Sequence, residues 1–196
     1  MKLKEKIIVE ALRQFSTKGF MATSTADIIN VVGTSKGGLY NHFKNKEQLF
    51  LEVLRQARKI WRERNLAGLE TIERPVDKIK HILVNYKDNY LADSTNFPGG
   101  CIFINLTVEL SDQCPHLAAE VSEGFGRFKF MLRRFLEQER LAGMLKDNVE
   151  IDGVVAVVFS GLLGACVMYT ADKSKSNLDQ AMGALAAYID NQCISY

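Results

Sequence analysis

Apolar residues recur at every third and fourth position along most of this chain, and strict alternation is rare. That periodicity predicts helices and argues against strands. Leu3, Ile7, Ala11, Leu12 and Phe15 form one stripe of a helix from about Lys2 to Lys18, which Gly19 stops. A second helix starts at Thr23 or Ser24, where Ser24-x-x-Asp27 has the capping-box spacing, and Gly33 ends it. A short third helix runs from Thr34 or Ser35 to near His42. Asn45, with Gln48 three residues on, caps a long fourth helix that carries Leu49, Phe50, Val53 and Leu54 past Trp61.

Further on, Pro75 opens a helix to about Leu91, and residues 93–100 (Asp-Ser-Thr-Asn-Phe-Pro-Gly-Gly) read as a loop. Helices follow from Cys101 to Leu110, from Pro115 to about Leu141, from Asn148 or Glu150 to near Thr170, and from Ser176 or Asn177 to about Gln192. The fold class is therefore all-α, with about nine helices. Three helices make a head over 1–47, and the remainder makes a larger body over 48–196. Val154 to Tyr169 is almost wholly apolar, but it falls short of the ~20 residues of a bilayer span. Its Gly161, Gly164 and Ala165 suit a buried helix, so no membrane partner is expected.

The head has the makeup of a helix-turn-helix. Ile28, Ile29 and Val32 can pack on Leu39 and Phe43, and Gly33 supplies the turn. Lys36, Gly37, Tyr40, Asn41 and His42 are left on the outer side. Thr23, Ser24, Thr34, Ser35, Tyr40, His42 and Lys46 supply the hydroxyls and cations that hold phosphates. Gly37 and Gly38 each lower helix propensity by ~1 kcal/mol, a cost that close backbone approach to DNA would justify.

Charge sharpens this picture. The 196-residue chain carries a formal net charge of +2, but residues 1–47 hold eight Lys/Arg against four acids, leaving the rest slightly acidic. A basic head on an acidic body suits a polyanion at one end. Cys101, Cys114, Cys166 and Cys193 form no C-x-x-C pair and have no histidine cluster beside them, so no metal site is expected. They read as reduced thiols of a cytoplasmic protein. Glu5, Glu10 and Arg13 interrupt any signal-peptide core. No acid–base pair, phosphate loop or metal spacing points to an enzyme, and nothing calls for a cofactor.

The string from Ser35 to Phe50, Ser-Lys-Gly-Gly-Leu-Tyr-Asn-His-Phe-Lys-Asn-Lys-Glu-Gln-Leu-Phe, resembles the signature of the TetR family of transcriptional regulators. Gly19-Phe20 and Thr23 to Ile28 are similar to that family's entry into its second helix. Thr34, Val31-Val32 and Gly38 depart from the commoner residues. The resemblance implies an all-helical homodimeric repressor whose DNA contacts are Thr23, Ser35, Lys36, Gly37, Tyr40, Asn41, His42 and Lys46. Its partner would be double-stranded DNA, a palindromic operator with half-sites about one helical turn (~34–36 Å) apart. A small-molecule effector bound in the body would release it.

The body offers residues for pairing and sensing. Val154, Val158, Gly161, Leu162 and Ala165 share one strip of the apolar helix, and Ala181, Ala184, Leu185 and Tyr188 one strip of the last. Two copies would close a four-helix bundle, and the TetR resemblance implies the same interface. Trp61, Tyr86, Tyr90, Phe128 and Phe159 are candidate effector contacts, along with Cys101 and Asn105. Asn105, Thr107 and Glu109 are polar exceptions on an otherwise apolar helix; each needs a partner, either an effector or the protein itself. Cys101, on the first turn of that helix, lies where a helix dipole favours thiolate. Gly-Cys-Ile-Phe-Ile-Asn-Leu resembles a string in a TetR branch with electrophile- or oxidant-responsive members. Cys101 as the sensor is thus the alternative to a reversible effector. A helical protein–protein module is the remote alternative, and salt dependence of binding separates it from a DNA binder.

Overall fold

A computed structural model describes residues 1–193; positions 194–196 of the expected body lie outside the described residues. The described residues form nine α-helices: α1 Leu3–Ala22, α2 Thr25–Val32, α3 Lys36–Tyr40, α4 Lys46–Asn65, α5 Pro75–Asn85, α6 Ile102–Gln113, α7 Pro115–Leu141, α8 Ile151–Asp172 and α9 Lys175–Asp190. No strand is present among them. The chain divides into two compact units that interleave in sequence. One comprises residues 1–61 and 93–122, the other residues 62–92 and 123 onward. α4 and α7 each contribute to both.

In the first unit, the stripe read from the sequence is the core except at Leu3, which is exposed at the start of α1. Ile7, Ala11, Leu12 and Phe15 are fully buried, as are Ile28, Leu39, Leu49 and Phe50. Burial of each large side chain stabilises by about 1.5–3 kcal/mol. Phe20 sits edge-on to both Phe15 and Phe50, with ring centroids 5.5 and 5.0 Å apart. Gly19 does take a left-handed conformation (φ 81°, ψ 173°), yet it breaks α1 rather than ending it, and a further helical turn resumes to Ala22. The segment 93–122 packs on this core mainly by laying α6 along α1.

In the second unit, α5 packs on α9 and α8 packs on α9. Pro75 occupies the first turn of α5 as expected. Instead of continuing to Leu91, α5 gives way to a π-helical turn over Tyr86–Tyr90, closed by the Leu91 N–H donating to the Tyr86 carbonyl at 2.9 Å. Lys80 pairs with Asp190 and Lys87 with Asp179, each at 2.7 Å, tying α5 to α9. Both pairs are partly exposed and contribute little each. Burial and hydrogen bonding act oppositely on Lys80, and its pKa is raised by the partnership with Asp190 and Asp77 against the burial that opposes it.

Candidate nucleic-acid interface

The helix-turn-helix is built by caps. Ser24 caps α2 by accepting from the Asp27 N–H at 3.1 Å, and Asp27 accepts from the Ser24 N–H at 2.8 Å. The reciprocal hydrogen bonds to Ser24 hold the Asp27 carboxyl below the usual carboxylate range. Gly33 ends α2 in the left-handed region (φ 70°), with its N–H donating to the Ile29 carbonyl. Ser35 caps α3 through its hydroxyl oxygen, which accepts from the Gly38 N–H at 3.0 Å. Asn45 accepts from the Gln48 N–H at 2.8 Å, and Gln48 returns by accepting from the Lys44 N–H at 2.6 Å. Three helix starts are thus fixed by side chains, and one helix end by a glycine, all read directly from the sequence.

These caps leave α3 with one bare face. Lys36, Gly37, Tyr40, Asn41 and His42 are exposed, Tyr40 to 40%. Lys36, Tyr40 and Asn41 make no side-chain hydrogen bond or ion pair among the described residues, while His42 only meets the Phe43 ring, at 6.3 Å. Leu39 points inward and is fully buried. The two glycines differ in kind. A Cβ at Gly38 would lie 2.4 Å from the Thr34 hydroxyl, so an internal neighbour explains the absence of a side chain there. At Gly37 the nearest such atom is 3.8 Å away, and no internal contact accounts for it.

Two expected phosphate ligands are not free side chains. Thr23 is fully buried and its hydroxyl donates to the Gly19 carbonyl at 2.7 Å, so it holds the turn instead of reaching outward. Lys46 lies over the Phe20 ring at 4.2 Å and reaches the Met21 carbonyl at 3.4 Å. Burial pushes its ammonium pKa down, opposed by the Glu109 carboxylate. Ser24 and Ser35 are exposed but act as caps, and Thr34 is half-buried.

The comparisons with known proteins bear on this architecture. The sequence pattern of bacterial regulatory proteins of the tetR family matches residues 7–53. The pattern of the tetracyclin repressor-like C-terminal domain matches residues 75–185. The chain belongs to the TetR family. An uncharacterized HTH-type transcriptional regulator of Lactococcus lactis subsp. lactis is 32% identical over 90% of this chain and 89% of its own length. The HTH-type transcriptional regulator QacR of Staphylococcus aureus is 46% identical over 63 residues, 32% of this chain and 34% of that protein. A TetR transcriptional regulator from Chloroflexus aurantiacus superposes with a TM-score of 0.89 at 27% identity, covering 97% of this chain and 96% of its own.

In this TetR-family chain the expected effector contacts divide between the units. Tyr86, Tyr90, Phe128 and Phe159 belong to the second. There Tyr86 meets Tyr90 edge-on at 5.0 Å, stacks on Phe128 at 6.3 Å, and Phe128 meets Phe159 at 5.9 Å. Trp61, Cys101 and Asn105 belong to the first. Asn105 is committed within it: its amide donates to the Gly99 carbonyl at 3.2 Å and the Ser16 carbonyl at 3.4 Å. Its polarity is therefore explained by the protein. Thr107 likewise donates to the Phe103 carbonyl at 2.7 Å. Cys101 is buried at the N-cap of α6, so an electrophile would reach it only after local opening.

The α8 strip expected to face a second copy faces inward, and the α9 strip is mixed. Val154, Val158, Leu162 and Ala165 of α8 are buried within the protomer, as is Leu185 of α9. Gly161 is small because α9 crosses there: a Cβ on it would lie 2.6 Å from a Leu185 methyl. Ala181 and Tyr188 are half-buried, and Ala184 alone among the four expected α9 positions is exposed. The outward face of α8 is a different stripe, Gly153, Val157, Ser160, Gly164, Val167 and Met168. α8 is long and apolar enough to cross a membrane by length and composition alone, and one side of it is this exposed stripe. The apolar run read as one buried helix is thus two-faced. An apolar side chain on every face hides which one packs internally.

Proposed function

We propose that this TetR-family regulator is a cytoplasmic homodimeric repressor of a palindromic operator, released when a small molecule binds in the body. The bare face of α3 carries the reading. Its Lys36, Tyr40, Asn41 and His42 side chains are ordered by caps beneath them yet make no polar bond among the described residues, which is the arrangement a groove-reading helix needs. Lys36 and Tyr40 reach phosphates or base edges, Thr34 and Ser35 offer hydroxyls, and the start of α2 beyond Ser24 offers N–H groups to phosphates, the Ser24 hydroxyl itself donating to Asp27 at 2.8 Å. Thr23 acts from beneath by fixing the turn. Lys46 contributes charge after leaving the Phe20 ring or contributes by holding that turn.

Pairing uses the outward stripe of α8 with Gly183, Ala184 and Ala187 of α9, all small and exposed. The ring cluster of Tyr86, Tyr90, Phe128 and Phe159 favours a flat apolar effector. An effector that moves the population from 1:99 to 99:1 needs a differential affinity of ~10⁴-fold between the two states.

Selection of bound duplexes from random-sequence DNA tests the reading, with affinity followed against salt. A palindromic consensus and a steep linear fall of log affinity with log salt are expected; no selected duplex, or a salt-independent affinity, overturns it. Two variants refine it. Lys36→Ala is expected to weaken all selected duplexes alike and flatten the salt slope by ~1. Gly37→Ala is expected to raise stability by a few tenths to ~1 kcal/mol, since no atom obstructs the new methyl. It should weaken DNA binding all the same, because that methyl stands on the face that approaches the duplex. Thermal melts and anisotropy titrations on one preparation read both effects.

A further inference from the structure

We infer that Glu109, on α6 and remote in sequence from the helix-turn-helix, is a positioning residue for DNA binding; this rests on the DNA-binding reading above. The break at Gly19 removes Phe20 and Met21 from the hydrogen-bond ladder of α1, which leaves two backbone donors needing acceptors. One carboxylate takes both: the Phe20 N–H donates to Glu109 Oε2 at 2.7 Å and the Met21 N–H to Oε1 at 2.8 Å. Both are short, charge-assisted bonds, stronger than neutral ones. Glycine at 19 is required twice. Its φ of 81° suits no other residue well, and a Cβ there would lie 2.4 Å from the same carboxylate.

The turn held this way carries the groups that present the interface. Its Gly19 carbonyl accepts from Thr23, the residue immediately before the α2 cap. Its Met21 carbonyl accepts from Lys46, at the first turn of α4, whose ammonium also lies over Phe20. Glu109 therefore fixes the starting points of α2 and α4, the two elements that flank α3. A second tether lies one turn earlier on each helix. The Gly99 N–H donates to the Ser16 hydroxyl at 3.1 Å, and Asn105 donates to the Ser16 carbonyl that the break at Gly19 releases. These bonds hold α6 in register on α1, so the carboxylate has one place to go.

The test uses full-length protein and a duplex that the wild type selects from a random pool. Glu109→Ala, measured where circular dichroism shows the protein fully folded, is expected to bind at least roughly tenfold more weakly. The loss should be uniform across selected sequences, with a shallower salt slope as the displaced starts of α2 and α4 lose phosphate contacts. Glu109→Gln keeps the shape but accepts only one of the two N–H groups, so it should fall in the same direction; it also serves if the alanine variant fails to fold. Val108→Ala, on the exposed side of α6, should bind as wild type. A folded Glu109 variant with wild-type affinity and slope overturns the inference. So does a loss that merely tracks the unfolded fraction, because that is a stability effect. If the wild type selects no duplex, the DNA-binding reading fails and takes this inference with it; if it selects duplexes that the variants bind equally well, only this inference fails.

Discussion

Replacing Arg74 with alanine is expected to cost about 3–5 kcal/mol of stability, because it strands a buried carboxylate. Glu139 of α7 is 0% exposed, and its two carboxylate partners among the described residues both lie at the start of α5: Arg74 Nε at 2.7 Å and the Val76 N–H at 3.3 Å. Hydrogen bonding to Glu139 pushes the Arg74 guanidinium pKa up, and burial opposes that. The raised value keeps Arg74 cationic throughout the usable range. Its contribution is fully present below the unfolded value and would be lost only on passing the folded one, so wild-type stability gains no pH window here. Arg74 itself stays 36% exposed, which puts the expected cost nearer the lower bound. Urea unfolding followed by circular dichroism measures it. Replacing both residues, Arg74→Met with Glu139→Met, should recover most of the loss, since two apolar side chains leave no charge unpaired. A single Arg74→Ala variant within ~0.5 kcal/mol of wild type would show that water or another group reaches Glu139.

The local grammar of the head was legible because its signals are local. Ser24 with Asp27, Gly33, Ser35, and Asn45 with Gln48 each act within four residues, and each makes the bond its spacing implies. Pro75 and Pro115 likewise open the helices assigned to them. What was not legible depends on contacts between distant segments. Glu109 stood out as a polar exception, but nothing in its neighbourhood says that its partners are N–H groups 88 and 89 residues away. Gly99 read as loop punctuation. In the structure a Cβ there would lie 1.7 Å from the Ser16 carbonyl oxygen, so the loop is pressed onto α1. Thr23 has the residue type of a phosphate ligand, and burial alone separates that role from the one it plays.

The helical pattern reads a head over 1–47, and the compact first unit runs over residues 1–61 and 93–122. The segment 93–122 enters it through Arg13 Nε donating to the Thr95 carbonyl at 2.9 Å and Gly99 on Ser16 in the loop, and through Asn105 and Glu109 on α6. The helix that carries the expected effector residue Asn105 is therefore also the helix that anchors the turn before α2. A displacement of α6 would act on the DNA-binding face through hydrogen bonds already made, and needs no longer route.

A glutamate on the outward face of α8 is expected to break the proposed dimer while leaving each protomer folded. Val157 is 46% exposed and sits between Gly153 and Ser160 on a stripe of small residues that continues through Gly164 to Met168. Such a stripe lets two helices approach closely, and two-fold symmetry presents any substitution to the interface twice. Two carboxylates buried without partners cost several kcal/mol, so Val157→Glu should raise the dimer dissociation constant by at least ~10³-fold. Affinity for a palindromic duplex should then fall by roughly 10²–10⁴-fold as the second half-site contact ceases to be intramolecular. Protomer stability should move by less than ~0.5 kcal/mol, because the position is on the surface of the chain. Leu162→Ala, on the α8 strip that the sequence assigned to pairing, should do the reverse: its side chain is fully buried, so the protomer loses about 2–5 kcal/mol. Analytical ultracentrifugation, thermal unfolding and duplex titration on the two variants separate the faces. A dimeric Val157→Glu protein with wild-type operator affinity would exclude this stripe as the pairing surface and direct attention to the exposed small residues of α9.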